Sequence, residues 1–270
     1  MRFPVLTKYL MLEATAALLV FGYYGVQSVN PSIDTATLPT EVSSFSPIQK
    51  GFVPIFDGKT LDGWDGNPVY WSVKDGAITG EITPETLLKA NTFLIWQGGQ
   101  PGDFELKADF KISESGNSGI NYRSELVEDV PHALKGYQAD IDGKNNYTGQ
   151  NYEERKRATL AYRGQETKIT SQPDGVGVRE FVEKNAWKGL NLEKEIGDRA
   201  ELGAKIKSGE WNSIHIVAKG NVLKHYVNGQ LMSEVHDEDP KNRMASGYLG
   251  VQVHVGPPMT VQYKNVMLKQ

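Results

Sequence analysis

The stretch Phe104-Glu105-Leu106-Lys107-Ala108-Asp109-Phe110-Lys111-Ile112, opened by Asp103, alternates strictly between apolar and charged residues. Phe104, Leu106, Ala108, Phe110 and Ile112 fall on one side of an extended chain; Glu105, Lys107, Asp109 and Lys111 fall on the other. A period of two over that length specifies an antiparallel strand with one face on a core and one in water. Similar runs are expected at 69–73, 92–96, 119–124, 137–142, 159–163, 214–218, 222–227, 249–255 and 259–268. Turn signals separate them: Asp57-Gly58, Asp75-Gly76, Asn228-Gly229 and Gly256-Pro257-Pro258. Asn228-Gly229 joins two apolar runs, and a two-residue type I′ turn needs the positive φ that this pair accepts. About ten strands without a strand–helix rhythm predict an all-β sandwich or jelly roll. Residues 164–209 break the pattern. A loop at 171–177 and a helix over 198–207 are expected there, with Asp198 as its cap and Leu202 and Ile206 on one face. They read as a helical and loop insertion in the sandwich.

The chain has 270 residues and no cysteine, so disulfides, thiolate metal sites and cysteine nucleophiles are excluded. Its net charge of -4 argues against a nucleic-acid partner, which calls for a basic stripe. Arg2 and Lys8 precede an apolar stretch over 14–26, shorter than the ~20 residues of a membrane span. Residues 1–28 are therefore expected to be a signal peptide, with Val26 and Ser28 flanking the cleavage region. An uncleaved inner-membrane anchor and a buried N-terminal helix are the alternatives, and an anchor would be the chain's one route to a membrane. The domain is expected in the periplasm or secreted. Residues 29–50, rich in Ser, Thr and Pro, read as a linker, and 51–270 as the folded domain.

Several strands carry an unusual polar face. Asn121 and Arg123 alternate with Ile120 and Tyr122. Gln138, Asp140 and Asp142 alternate with Tyr137, Ala139 and Ile141, and Gln252 and His254 with Val251, Val253 and Val255. A solvated sheet face is the plain alternative for each strand taken singly. An ordinary wet face, however, favours Lys, Glu and Thr. Arg, Gln, Asp, Asn and His together suit the paired donors and acceptors of a sugar, with Tyr122 or Trp96 as a stacking ring. Carbohydrate is the expected partner. A two-carboxylate glycosidase is disfavoured, because the central run Gln138-Ala139-Asp140-Ile141-Asp142 has no glutamate. No cofactor is indicated, although Asp140, Asp142 and His254 could hold a divalent metal.

Ordered motifs extend the reading. Phe52-Val53-Pro54-Ile55-Phe56-Asp57-Gly58 leads to Gly63-Trp64, then Trp71-Ser72-Val73-Lys74-Asp75-Gly76 and Asp103-Phe104-Glu105-Leu106. Ser118-Gly119-Ile120-Asn121-Tyr122-Arg123, Gly136-Tyr137-Gln138 and Glu210-Trp211-Asn212 follow, then Asn228-Gly229 and Gln252-Val253-His254-Val255-Gly256-Pro257-Pro258. In this order they resemble the 3-keto-disaccharide hydrolase domain family over residues 51–269. The resemblance implies a concanavalin-like jelly roll that cleaves 3-keto-glycosides by hydrolysis or elimination. Many members carry Glu where Gln138 stands and Gln where Asp140 stands, which makes Asp140 rather than Gln138 the acid or base. His254, Asp140 and Arg123 are the expected catalytic set. Gln138, Tyr122, Asp142, Gln252, Trp96 and Asn121 are the expected substrate contacts. A non-catalytic carbohydrate-binding or adhesion module is the alternative.

Overall fold

The structure is a computed structural model that describes residues 50–270. The expected signal segment 1–28, and the linker apart from Lys50, lie outside the described residues. The first strands in chain order are β1 (Val53–Pro54), β2 (Trp64–Asp65), β3 (Trp71–Lys74), β4 (Ala77–Ile82), β5 (Thr92–Trp96) and β6 (Phe104–Ile112). Then come β7 (Asn117–Leu126), β8 (Leu134–Asp142), β9 (Asn151–Glu154), β10 (Ala158–Ala161), β11 (Gln165–Ile169), β12 (Val182–Glu183) and β13 (Ala186–Trp187). The last are β14 (Leu190–Glu195), β15 (Asn212–Lys219), β16 (Val222–Val227), β17 (Gln230–Asp237), β18 (Tyr248–Val253) and β19 (Met259–Lys269).

They form two sheets in a jelly-roll sandwich. One runs β14-β11-β17-β16-β15-β6-β19-β4-β3, with β1 on β19; the other runs β12-β13-β10-β9-β8-β7-β18-β5-β2. Sequence neighbours therefore lie in opposite sheets more often than side by side, the mark of a jelly roll rather than a meander. The strand that opened the reading, β6, sits inside the first sheet and is buried at every second residue. Its Phe104, Leu106 and Phe110 meet Ile120, Tyr122, Tyr137, Ile141 and Val251 of the second sheet in one core. Each such side chain contributes about 1.5–3 kcal/mol on burial. Asn228 and Gly229 both have positive φ, 50° and 77°, as the type I′ turn requires.

Two expectations need correction. Residues 164–209 hold the expected loop at 171–177 and a helix, but they also carry strands: β11 and β14 extend the first sheet, and β12 and β13 the second. The helix α1 is short, Arg199–Gly203, although Asp198 caps it by accepting from the Ala200 and Glu201 amides at 2.8 and 2.9 Å. Strands were missed here because β11 pairs in parallel with the distant β17, Gln165 opposite Ser233. That contact supplies its stability, and no local alternation announces it.

The second correction concerns β7 and β8, which are buried on both faces rather than wet on one. The turn joining them folds back over the outer face of its own sheet. Leu134 packs there with Phe93, Ile95 and Tyr248, apart from the main core. The His132 carbonyl accepts from Phe93 N at 2.8 Å, and the His132 ring lies 3.5 Å from the Asp65 carboxylate. The hairpin thus reaches across β18 and β5 to the far edge of the sheet. No helix among the described residues is long and apolar enough to cross a membrane.

Candidate functional site

Beneath that hairpin the outer face of the second sheet is a floor of amides. Pairing fixes their rows. Asn121 lies opposite Gly250 on one side and Gln138 on the other, and Gln138 lies opposite Tyr152. Asp140 lies opposite Gly119, and Gln252 opposite Phe93. Asn121 and Gln252 are 0% exposed, Gln138 3% and Asp140 7%. Glycines beside them leave room: a Cβ at Gly119 would come within 2.5 Å of the Gln138 side chain, and one at Gly250 within 2.8 Å of Leu134.

The floor is not satisfied by the protein. Both amide atoms of Asn121, both of Gln252, and the Oε1 atoms of Gln138 and Gln150 are buried without a hydrogen-bond partner. A buried amide without a partner costs about 1–3 kcal/mol, so six such atoms on one sheet face call for polar partners from outside the chain, water or a ligand.

Asp140 is the ionisable centre of the floor. Its carboxylate accepts from Gln138 Nε2 at 2.6 Å and from Gln150 Nε2 at 2.5 Å. Burial pushes its pKa up to about 7, and the charges of Glu154 and Asp142 add to the rise against the two glutamine hydrogen bonds. Tyr152, on the Gln138 row, is pushed up to about 12 by burial and then by Glu154 and Asp140. Asp140, Tyr152 and Glu154 thus form one electrostatic cluster. Glu154 Oε1 accepts from Asn91 Nδ2 at 3.0 Å, and Asn91 Oδ1 accepts from Val255 N at 2.9 Å. The loop bearing His254 is tied to the cluster through that asparagine. His254 Nδ1 lies 2.6 Å from the Val255 carbonyl. A carbonyl can only accept, so Nδ1 donates there, and Nε2 takes no part in that bond.

A family model for the 3-keto-alpha-glucoside-1,2-lyase-like domain matches residues 51–269. The chain belongs to this family. A curated relative, a 3-keto-disaccharide hydrolase of Bacteroides thetaiotaomicron, is 32% identical over 111 residues, 35% of this chain and 32% of the relative. The match thus spans about a third of that relative's length. A solved structure from Parabacteroides distasonis, designated a glycosyl hydrolase, aligns at 17% identity and TM-score 0.50, covering 81% of this chain and 98% of that one. The CBM66 carbohydrate-binding module of Bacillus subtilis aligns at 16% identity and TM-score 0.47, covering 77% and 96%.

In this lyase-like domain the expected site residues divide. Asn121, Gln138, Asp140 and Gln252 come together on the floor, and His254 ends the strand that carries Gln252. Arg123 does not join them. Alternation would place it beside Asn121, but pairing of β7 with β8 shifts register between Tyr122 and Glu125, and Arg123 takes a φ of 44°. The bulge turns its guanidinium away. It donates to the carbonyls of Gly102, Gly220 and Met244 and to the Asp103 carboxylate. Tyr122 is in the core, hydrogen-bonded to His225 Nε2 at 2.9 Å and stacked on Tyr137. Trp96 packs against the main core as well, on the face opposite Phe93 and Ile95. Neither ring reaches a ligand on the floor.

Asp142 shares the floor's side of β8 but is spent locally. Its carboxylate accepts from the amides of Asn146, Tyr147 and Thr148 at 2.8 to 2.9 Å and from the Thr148 hydroxyl. Such a cap leaves it unsuited to a metal. Asp140, Asp142 and His254 do not converge as an ion site. Among the described residues the grouping with ligand spacing is Glu166, Glu234 and His236. It lies on the first sheet, where Lys224 already pairs with Glu234 at 2.9 Å.

Asn91, Gln150, Tyr152 and Glu154 escaped the sequence reading. The run Asn151-Tyr152-Glu153-Glu154 has no apolar alternation, because Asn151 and Glu153 are themselves buried polar groups on the inner side. One available signal was the turn-rich approach Thr148-Gly149-Gln150, which sets a short strand beside the Asp140 strand.

Proposed function

We propose that the domain cleaves 3-keto-glycosides between C1 and the glycosidic oxygen, on the amide floor around Asp140. The observation that carries the reading is the set of buried, unpartnered amide atoms on Asn121, Gln138, Gln150 and Gln252, grouped about a carboxyl group poised near neutrality. Uncharged amides suit the hydroxyls and carbonyl of a neutral sugar, each of which both needs and offers hydrogen bonds. The family description and the curated relative's name support the substrate class.

The chemistry suits the groups present. A ketone at C3 acidifies the hydrogen on C2, so a base can remove it while the C1 oxygen departs. Water then adds across the new C1=C2 bond to complete hydrolysis. Asp140, half neutral near pH 7, is suited to protonate the departing oxygen. The amides of Asn121 and Gln252 are suited to hold the charge that develops on the ketone oxygen.

Purified protein incubated with a panel of 3-keto-glucosides is expected to release the aglycone and a 3-keto sugar. An untouched panel, with or without added divalent metal, would overturn the reading. Tight calorimetric binding of unoxidised oligosaccharide without turnover would mark a binding module instead. Export belongs to the same proposal, motivated by residues 1–28. N-terminal sequencing of the protein recovered from its native cells should find a start near residue 29, and an intact Met1 would overturn cleavage.

A further inference from the structure

Elimination needs a base as well as the acid, and two groups compete for the part. His254 is half-buried at a strand end and bonded to its own loop. Glu154 lies inside the cluster: among the neighbouring charges it acts most strongly on both Asp140 and Tyr152. One of its oxygens, Oε1, accepts from Asn91, with Arg155 Nε 3.8 Å away. The other, Oε2, makes no hydrogen bond or ion pair among the described residues. The position facing Glu154 on β8 is Gly136, where a Cβ would come within 2.5 Å of the Ser124 hydroxyl. No side chain therefore stands opposite the carboxylate on that strand. A nearly buried carboxylate with one oxygen fixed and one open is a positioned base, and Asp140, two rows further along the same face of β8, is a carboxyl group that holds a proton. One group offers an open oxygen to take a proton and the other a proton to give, as base and acid require.

We propose that Glu154 is the catalytic base that removes the C2 hydrogen of a 3-keto-glycoside. The assignment rests on the proposed cleavage reaction and deepens it. The C2–H bond breaks and its proton passes to Glu154 Oε2. The electron pair forms the C1=C2 bond, the C1–O bond breaks, and the departing oxygen takes the Asp140 proton. The products are an alcohol and a 2-hydroxy-3-keto glycal. When water adds to C1, the Asp140 carboxylate accepts one water proton and Glu154 returns to C2 the proton it took, so both groups end as they began.

The test separates the base from the cleavage. 3-Keto-1,5-anhydroglucitol has the same C2 hydrogen and no leaving group, so exchange of that hydrogen in D2O, followed by proton NMR, reports the base alone. Glu154→Gln keeps an oxygen for Asn91 and should fold. It is expected to lower C2 exchange, and cleavage of every 3-keto-glucoside, by about a hundredfold or more. Asp140→Asn is expected to keep C2 exchange and to lose cleavage of sugar aglycones. It should retain a nitrophenyl aglycone, whose oxygen leaves without a proton. Wild-type exchange in Glu154→Gln would overturn the assignment, and exchange lost in His254→Ala but kept in Glu154→Gln would move the base to His254. Exchange without cleavage of any glycoside in the wild-type protein would support Glu154 as a base and overturn the cleavage reading. Absence of both would overturn both.

Discussion

Asp140 shows how one residue couples stability to chemistry. Its folded pKa of about 7 stands above the ordinary 3.8 because burial penalises the carboxylate. The folded protein therefore holds this proton more tightly than the unfolded chain. The stabilisation is fully present below about pH 3.8 and is lost as pH rises through 7. At about 1.4 kcal/mol per pH unit, the loss amounts to about 4 kcal/mol at most. Asp140→Asn removes the titration, and Gln138 and Gln150 each have an open Oε1 to turn toward the new amide. The variant is expected to melt higher than wild type at pH 8, by several degrees more than at pH 4, while turnover of sugar aglycones is lost. Melting curves at the two pH values check this, and a shift equal at both would refute it. Asn121, Gln138, Asp140 and Gln252 were legible in the sequence because strict alternation put them on one side of their strands. Their burial was not legible, because it comes from segments such as the β7–β8 turn and Gln150 that only the folded chain brings over the sheet. Nor was Glu154, whose neighbour Glu153 is buried by an ion pair that only the folded chain forms.

At the scale of elements, the bulge in β7 decides which residues face the candidate site. Arg123 is 1% exposed, and its guanidinium ties this strand to Gly102 before β6, to Gly220 in the β15–β16 turn and to Met244 before β18. Removing it strands several carbonyls and empties a packed position. Arg123→Ala is expected to lower stability by about 3 kcal/mol, and Arg123→Lys should recover little, since one ammonium cannot reproduce the fork. The kcat of the protein that remains folded should stay within a few-fold of wild type, because none of these bonds reaches Asp140. Denaturant melts with active-fraction kinetics decide it: a stable Arg123→Ala protein with kcat reduced a hundredfold would restore Arg123 to the catalytic set. The elements themselves were read from the sequence wherever stability is local. β5 and β16 match their expected bounds, and the Asn228-Gly229 turn takes its expected φ values. β11 draws its order from the distant β17, and β9 from interior polar contacts, and neither source leaves a period in the chain.

Across the whole molecule the two sheets are held by polar links as well as by the apolar core. Ser118 meets Tyr263 at 2.7 Å, and Tyr122 meets His225 at 2.9 Å. His225 donates from Nδ1 to the Gln150 carbonyl, and burial pushes its pKa down to about 4. Its contribution is therefore present above pH 6.5 and is lost as pH falls through 4. The largest link is Arg157, beside β10. It pairs with Glu153 of β9 at 2.5 Å in its own sheet, with Asp237 of β17 at 2.6 Å in the other, and with Asp239 at 3.3 Å. All four side chains are 0–1% exposed. With no disulfide in the chain, this cluster and the core together fix how the sheets face each other. Arg157→Met keeps the length of the side chain but leaves Asp237 and Asp239 buried without their cation, and Glu153 with Lys156 alone at 3.6 Å, at an expected cost of about 3–5 kcal/mol. The deficit should shrink toward pH 5, where the stranded carboxylates take up protons in the folded protein. Adding Glu153→Gln and Asp237→Asn to Arg157→Met should restore much of the loss, because neutral partners no longer need the cation. A melting temperature for Arg157→Met within about 2 °C of wild type at pH 8 would show that the cluster contributes little to the join. A triple variant no more stable than Arg157→Met alone would show that the loss comes from packing rather than from stranded charge.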